Sequence, residues 1–324
     1  MVTLVTGASG FIGQHVVRKL AMRGDRVRLL ARPGSKLGAL SDLNLEIVQG
    51  DVIQPDTLPA AFDGVDRLFH MAGLVTFVQS EIPRLQTVNV EGTRNILGAA
   101  LRAGVQRVVY TSSVSAVGYS KRPQVVTESS PWVDFGISYA RSKREAEEVA
   151  LQYFRQGLPV VIVNPTTAMG ANDPNLTSTA PVARFLRGDL KVTVRGALNV
   201  IDIDDLADGH LRADERGRIG ERYILGGNNV SWTQFFGILS DLSGRPAPRR
   251  VPSALALGMA KLMEATSNLT GRPPKFHVEE VRAASLYRIA DSTKADRELG
   301  LQHRSLRETL SRTVDWLKTT DPAL

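Results

Sequence analysis

Cysteine is absent from this chain of 324 residues. Its absence excludes disulfide staples, thiol nucleophiles and zinc-thiolate centres, and it favours an intracellular home, with the cytoplasm as the expected location. Also missing is a charged segment leading into an apolar one at the amino terminus. The pattern of a strand begins at Val2, so no secretory signal peptide is read. Long hydrophobic runs are lacking too. The stretch Val251 to Met263 is apolar but short and carries Lys261, so it does not read as a membrane span. It reads as an amphipathic helix covering a pocket, with peripheral membrane contact as the lesser alternative. There is no internal repeat and no low-complexity tract. Basic residues outnumber acidic ones, 40 against 33, for a formal charge of +7. They are scattered, and clusters such as Arg249-Arg250 and Lys121-Arg122 have no interleaved aromatics, so no nucleic-acid-binding stripe is present. Attraction of an anionic cofactor is a sufficient use for the charge.

What is present is a chain with 43% hydrophobic residues, enough for a substantial core. The first half alternates strand and helix signals. Val2 to Thr6, Val27 to Leu30, Glu46 to Val48, Arg67 to His70, Arg107 to Tyr110 and Pro159 to Val163 read as strands, with helices at Gln14 to Met22, Asn89 to Ala103 and Tyr139 to Gln156. Such alternation predicts an α/β fold with a doubly wound parallel sheet of the Rossmann kind. From Asn164 the pattern loosens into Pro, Thr, Asn and Asp-rich loops, then mixed helices and short strands. Residues 1–165 are therefore read as a dinucleotide-binding domain and 166–324 as a smaller C-terminal mixed α/β substrate lobe, with parts of 198–226 returning to the first. Asp202, Asp204 and Asp205 are read as a helix start with Asp204 as N-cap, and no metal site is expected.

Two local motifs carry chemistry. Gly7-Ala8-Ser9-Gly10-Phe11-Ile12-Gly13 follows the first strand without a break and opens a helix. In that context Gly7 serves the tight turn, Gly10 admits backbone to a pyrophosphate and Gly13 lets helix and strand pack closely. The helix amino terminus adds free N–H groups and its dipole for phosphate. The second motif is Tyr139 and Lys143, four residues apart and so on one helical face. A free tyrosine titrates near pH 10, so a phenol acting at neutral pH needs roughly 4 kcal/mol of stabilisation of its anion, which a fixed cation supplies.

With Gly50-Asp51-Val52, His70-Met71-Ala72-Gly73, Asn89-Val90-Glu91-Gly92-Thr93, Thr111-Ser112-Ser113 and Asn164-Pro165-Thr166-Thr167, these motifs stand in one order along nearly the whole chain. In that order the sequence resembles the extended short-chain dehydrogenase/reductase family, in the branch of dihydroflavonol 4-reductase and the NAD-dependent epimerases and dehydratases. The resemblance implies Ser113, Tyr139 and Lys143 as catalytic residues, with Ser112 as the fallback for Ser113. It implies a cofactor held by Gly7, Ser9, Gly10, Phe11, Ile12 and Gly13, by Asp51 at the adenine amino group with Val52 beside it, by Met71, Ala72 and Gly73, by Thr111, Tyr139 and Lys143, and by Pro165 and Thr166 near the nicotinamide amide. Asn89 matches an asparagine that helps hold the active-site helix, alongside a simple N-cap role. Where dihydroflavonol reductases carry a substrate-binding asparagine, this chain has Gly118. A helix pair containing 89–103 and 139–156 often forms a homodimer in the family.

Cofactor choice follows from the end of the second strand. NAD selection needs a carboxylate there for the ribose hydroxyls, whereas a 2′-phosphate needs cations. The chain offers Ala31-Arg32-Pro33-Gly34-Ser35-Lys36 and no acid, so Arg32 with Ser35 or Lys36 favours NADP, with NAD as the alternative. The expected function is NADPH-dependent reduction of a ketone or aldehyde, the partner being a small-molecule carbonyl or alcohol. Phe185, Trp232, Phe235, Leu257 and Met263 suit a hydrophobic one. The alternatives are an NAD-dependent sugar epimerase or dehydratase using the same Ser, Tyr and Lys, and a non-catalytic dinucleotide sensor.

Overall fold

In a computed structural model, residues 1–270 and 274–321 are described. Six strands alternate with helices through the first half: β1 (Val2–Thr6), β2 (Arg26–Ala31), β3 (Glu46–Gln49), β4 (Arg67–His70), β5 (Arg107–Thr111) and β6 (Val160–Pro165). They are rich in Val, Ile and Leu, and β1, β5 and β6 are buried almost end to end, as strands covered on both faces must be. All pair in parallel, and Arg222–Leu225 adds a seventh strand beside β6. The order across the sheet is Arg222–Leu225, β6, β5, β4, β1, β2, β3. Strand order reverses between β1 and β4, whose last residues, Thr6 and His70, are partners in register. The crevice beyond those carboxyl ends is where such sheets bind ligands.

Apolar clusters cover both faces of the sheet. One contains Val16, Val17 and Leu20 from the helix Phe11–Met22 and Leu206 and Ala207 from the helix Ile203–Arg216. The other contains Ile96 and Leu97 from Gly92–Arg102 and Ala146, Val149 and Ala150 from Ser138–Arg155. A third core lies in the lobe, where Phe185, Trp232, Phe235 and Phe236 pack with Leu310 and Val314. It rests on a small sheet built around Ala197–Asp202, flanked by Asn228–Ser231 and Tyr287–Arg288, with Thr167–Met169 also paired to it.

Element boundaries move in informative ways. The first helix begins at Phe11, not Gln14, so the glycine turn runs directly into its first turn and Gly10 is its N-cap. The helix Gly92–Arg102 is preceded by a π-helical stretch, Gln86–Glu91, which carries Asn89. The helix Ile203–Arg216 is capped by Asp202, whose Oδ1 accepts the Asp204 N–H at 2.9 Å. Asp204 is not the cap but lies inside the first turn, where it pairs with His15 and Arg312. Among the described residues, no helix is long and apolar enough to cross a membrane and no group of acidic, His or Cys side chains could hold a metal ion.

Candidate active site

The glycine turn is built by close approach of backbone to backbone. Gly7 has φ +80°, and a Cβ there would sit 2.6 Å from the Ala72 nitrogen on the β4 side, while one on Gly13 would collide with the Gly7 carbonyl. Side chains are excluded at both positions, so the first turn of the helix settles onto the end of β1. Gly10 caps that helix with no side-chain hydrogen bond, leaving its leading N–H groups for a ligand. Around this turn lies a cleft of about 480 Å³ lined by Gly7, Ser9, Gly10, Arg32, Ser35, Asp51, Val52, Met71, Ala72 and Gly73. That is within the ~300–1,000 Å³ span of ligand pockets. Phe11 and Ile12 face the core behind the turn, packed with Val16 and Val17. Lys36 is exposed and lies outside the cleft wall. Asp51 lines the wall while its carboxylate accepts the Ile53 N–H at 3.2 Å.

The cleft has walls that local motifs did not signal. Arg84 and Thr87 come from the segment after β4, and Asn175 comes from the lobe. The loop before Asn175 is fastened to the first helix, because Gln14 donates to the Asn172 carbonyl and His15 bonds the Ala171 carbonyl at 3.1 Å.

Beneath the cleft, two histidines are buried and neutral. The Thr93 hydroxyl donates to the Asn89 carbonyl at 2.6 Å, so it accepts from His70 Nε2 at 3.1 Å; His70 Nδ1 then accepts from Thr6 Oγ1 at 2.7 Å, which in turn accepts the Ala72 N–H at 3.2 Å. This relay gives each group one donor and one acceptor role and ties the ends of β1 and β4 together. Burial, with help from the Lys143 charge, lowers the His70 pKa to about 3. His210 donates from Nδ1 to the Leu206 carbonyl at 2.8 Å and accepts at Nε2 from Thr111 Oγ1 at 3.0 Å; burial lowers it to about 4.

Ser113, Tyr139 and Lys143 converge at the carboxyl end of β5. Ser113 is the N-cap of a single helical turn, its Oγ accepting the Ser115 N–H at 3.1 Å. Its neighbour Ser112 is buried with no hydrogen-bond partner for its hydroxyl. Tyr139 packs beside Tyr119, Ile137, Ala283 and Leu286. Burial pushes its phenol up to about 12, and a hydrogen bond from Ser113 works in the opposite direction. Lys143 is buried, its Nζ donating to the Thr111 carbonyl at 2.8 Å and lying 5.3 Å above the Tyr110 ring. Burial lowers its pKa to about 8, against the pull of Glu147. Gly73 stands beside this ammonium, since a Cβ there would be 4.0 Å from Lys143 Nζ. The cleft around the glycine turn and the Ser-Tyr-Lys cluster thus meet at Gly73. Pro165 ends β6, and Thr166 follows it with its hydroxyl buried and unpartnered.

Three supports hold the Tyr139 helix. Asn89 is not an N-cap; its amide spans the Leu74 N–H and carbonyl at 2.7 and 3.0 Å and donates to Ser142 Oγ at 2.9 Å. Glu147, one helical turn beyond Lys143, takes Asn164 Nδ2 at 2.7 Å and Arg222 at 2.8 Å, and the same Asn164 amide donates to the Ser113 carbonyl at 3.0 Å. Its four-residue spacing from Lys143 was a readable signal. Glu279 had none, because it comes from the lobe helix Val278–Ala284: its two oxygens accept Ser138 N–H and Ser138 Oγ, both at 2.8 Å. The helix has no cap of its own at Ile137, so this carboxylate supplies one from across the molecule.

Gly118 has φ +153° and ψ 176° at the end of the Ser113 turn, a conformation essentially restricted to glycine. The asparagine that resemblance would place there cannot adopt this backbone without strain. The lobe supplies an apolar pocket of about 130 Å³, lined by Trp232, Phe236, Met259, Met263 and Phe276 among others. Trp232 and Met263 were expected there; Phe185 and Phe235 lie in the core behind it, and Leu257 is off its wall.

Comparison with known proteins bears on the family and the fold. The profile of the NAD dependent epimerase/dehydratase family matches residues 3–226. A Synechocystis sp. protein provisionally named dihydroflavonol 4-reductase is 39% identical over 97% of this chain and 94% of its own. Sterol demethylase protein B of Methylococcus capsulatus is 35% identical, covering 98% of each chain. The crystal structure of a nucleoside-diphosphate-sugar epimerase from Pseudomonas aeruginosa superposes with a TM-score of 0.82 at 27% identity, covering 99% of this chain and 98% of that one.

Proposed function

The chain belongs to the NAD dependent epimerase/dehydratase family of extended short-chain dehydrogenase/reductase enzymes, and from that premise we propose that it is an NADPH-dependent reductase of a hydrophobic ketone or aldehyde. Residues 1–165, joined by parts of 198–226, hold the dinucleotide, and the rest of the lobe from 166 onward holds the substrate. The observation that carries the choice of reductase is Arg32 with Ser35 on the cleft wall at the end of β2, where an NAD-retaining epimerase would need a carboxylate. The apolar lobe pocket supports a hydrophobic substrate. Sterol demethylase protein B, a relative named for an apolar substrate, points the same way.

The cleft fits the cofactor, because the Gly7–Gly13 contact leaves room for backbone to meet a pyrophosphate and the capless helix offers its N–H groups. When bound, the nicotinamide supplies the hydride that reduces the carbonyl carbon. Ser113 and Tyr139 hydrogen-bond the carbonyl oxygen, and Tyr139 gives it the proton. Donors aimed at a developing oxyanion contribute about 3 kcal/mol each. At neutral pH the raised phenol pKa keeps Tyr139 protonated and ready to donate. Lys143, anchored on the Thr111 carbonyl, holds the nicotinamide ribose and presents positive charge as the phenolate forms.

The test is a panel of apolar aldehydes and ketones with NADPH or NADH, read by loss of absorbance, beside assay of dinucleotide carried through purification. Steady NADPH consumption is expected, and Arg32→Ala raises the KM for NADPH about ten- to a hundred-fold while leaving NADH little changed. Tightly retained NAD with no net consumption would assign the epimerase reading instead.

A further inference from the structure

The lobe helix Ser253–Thr270 is apolar on two sides. Inward, Ala256, Ala260 and Met263 line the lobe pocket. Outward, Leu255 and Leu262 are 55% and 66% exposed, and Met259, at the rim of that pocket, is 43% exposed. Their spacings of four and three place them on one stripe, with exposed Ala254, Gly258 and Ala265 around them. Among the described side chains of this helix, Lys261 is the one exposed charge; Glu264 is engaged by the Val278 N–H at 2.9 Å and lies 3.5 Å from His277. A surface helix ordinarily turns a polar face to water, and one that is apolar all round is covered. The flanks are cationic: Arg249 and Arg250, both exposed, lead into the helix, and exposed Lys275 follows it.

We propose that this face docks on an anionic lipid bilayer, with Leu255, Met259 and Leu262 entering the acyl boundary and Arg249, Arg250, Lys261 and Lys275 meeting headgroup phosphates. The pattern is that of a helix lying in the interface rather than spanning it, consistent with the lack of any described helix able to cross. A second copy is a poorer occupant. A two-fold contact through this face would set the same arginines and lysine of both subunits against one another. The pocket beneath the helix would then open close to where apolar substrates partition. The docking surface itself goes beyond the reductase reading and stands without it.

The experiment is sedimentation of the full chain, without cofactor or substrate, with vesicles of phosphatidylcholine alone or with phosphatidylglycerol added. Binding to the anionic vesicles is expected. The double variant Leu255→Glu/Leu262→Glu lowers the partition coefficient about tenfold or more. Arg249→Ala/Arg250→Ala lowers it about fivefold per arginine at low salt and has little effect at high salt. All four positions are exposed, so melting temperature and NADPH affinity stay at the wild-type values, which separates this outcome from any failure of the reductase reading. The proposal is overturned if the chain ignores anionic vesicles at low salt, if both double variants bind as the wild type does, or if Leu255→Glu/Leu262→Glu instead dissolves a dimer formed without lipid.

Discussion

The half that carries the parallel sheet and the C-terminal lobe use different materials for their candidate sites. In the first, backbone does the shaping: Gly7, Gly13 and Gly73 stand where a Cβ would meet neighbouring atoms, a buried polar relay through His70 ties the ends of β1 and β4 together, and His210 ties the helix Ile203–Arg216 to the end of β5. In the second, side chains from five separated segments, Pro181 to Arg184, Leu190 to Val194, Trp232 to Phe236, Ala256 to Met263 and Phe276 to Ala284, converge on an apolar pocket. A site shaped by backbone tolerates few residue types, which suits a fixed chemistry. A site shaped by apolar side chains can be repacked with little cost, which suits a varying substrate. The two halves meet where Glu279 of the lobe caps the helix that carries Tyr139.

The sharpest break between them is Tyr139→Phe. Removing the proton donor is expected to cut turnover by about 10²- to 10⁴-fold, while NADPH affinity, measured by fluorescence titration, stays within error of the wild type. Retained turnover would move the chemistry away from this cluster.

Acid should separate the halves next. His70 and His210 are held at about 3 and about 4, below the ordinary value near 6.5 that they regain on unfolding. The unfolded chain therefore binds protons that the folded chain does not, and their contribution is fully present above about pH 6.5 and is lost as pH falls through about 4 for His210 and about 3 for His70. Each contributes a slope of about 1.4 kcal/mol per pH unit within that window. Both support the main sheet, so hydrogen exchange is expected to show β1, β4 and β5 loosening before the lobe strands. Denaturant midpoints that do not change between pH 7 and 4.5 would contradict the assignment of neutral buried imidazoles.

The smallest effect tests the joint. Glu279→Gln removes a charged cap worth about 1 kcal/mol. Turnover should fall a few-fold with NADPH affinity unchanged, because the first turn around Tyr139 loosens while the cleft does not. An equal loss in both would mean that the lobe helix supports the whole fold rather than the placement of the phenol.

Legibility followed the same divide. The six strands, the glycine turn and the Tyr139–Lys143 spacing were readable because each depends on residues near in sequence. The helix start at Phe11 and the cap at Asp202 were displaced by a few residues, since a turn and the helix it opens share the same local signals. Gly118 was legible as a departure, but its reason, a backbone with φ +153°, was not. Asn175, Glu147's partner Arg222 and Glu279 were unreadable as site residues, because each acts on a segment many residues away.

By itself, then, the sequence determined the parallel sheet, the glycine cradle, the cation-bearing end of β2 and the presence of a serine, a tyrosine and a lysine suited to carbonyl chemistry, since periodicity, glycine and i to i+4 spacing act over a few residues. Only the tertiary structure decided that Lys143 rests on the Thr111 carbonyl beside Gly73, that a lobe carboxylate caps the helix carrying Tyr139 and Lys143, and that Ser253–Thr270 leaves an apolar face outside its pocket. Those arrangements depend on which surfaces are buried against which, and burial is a property of the packed chain rather than of any stretch of it.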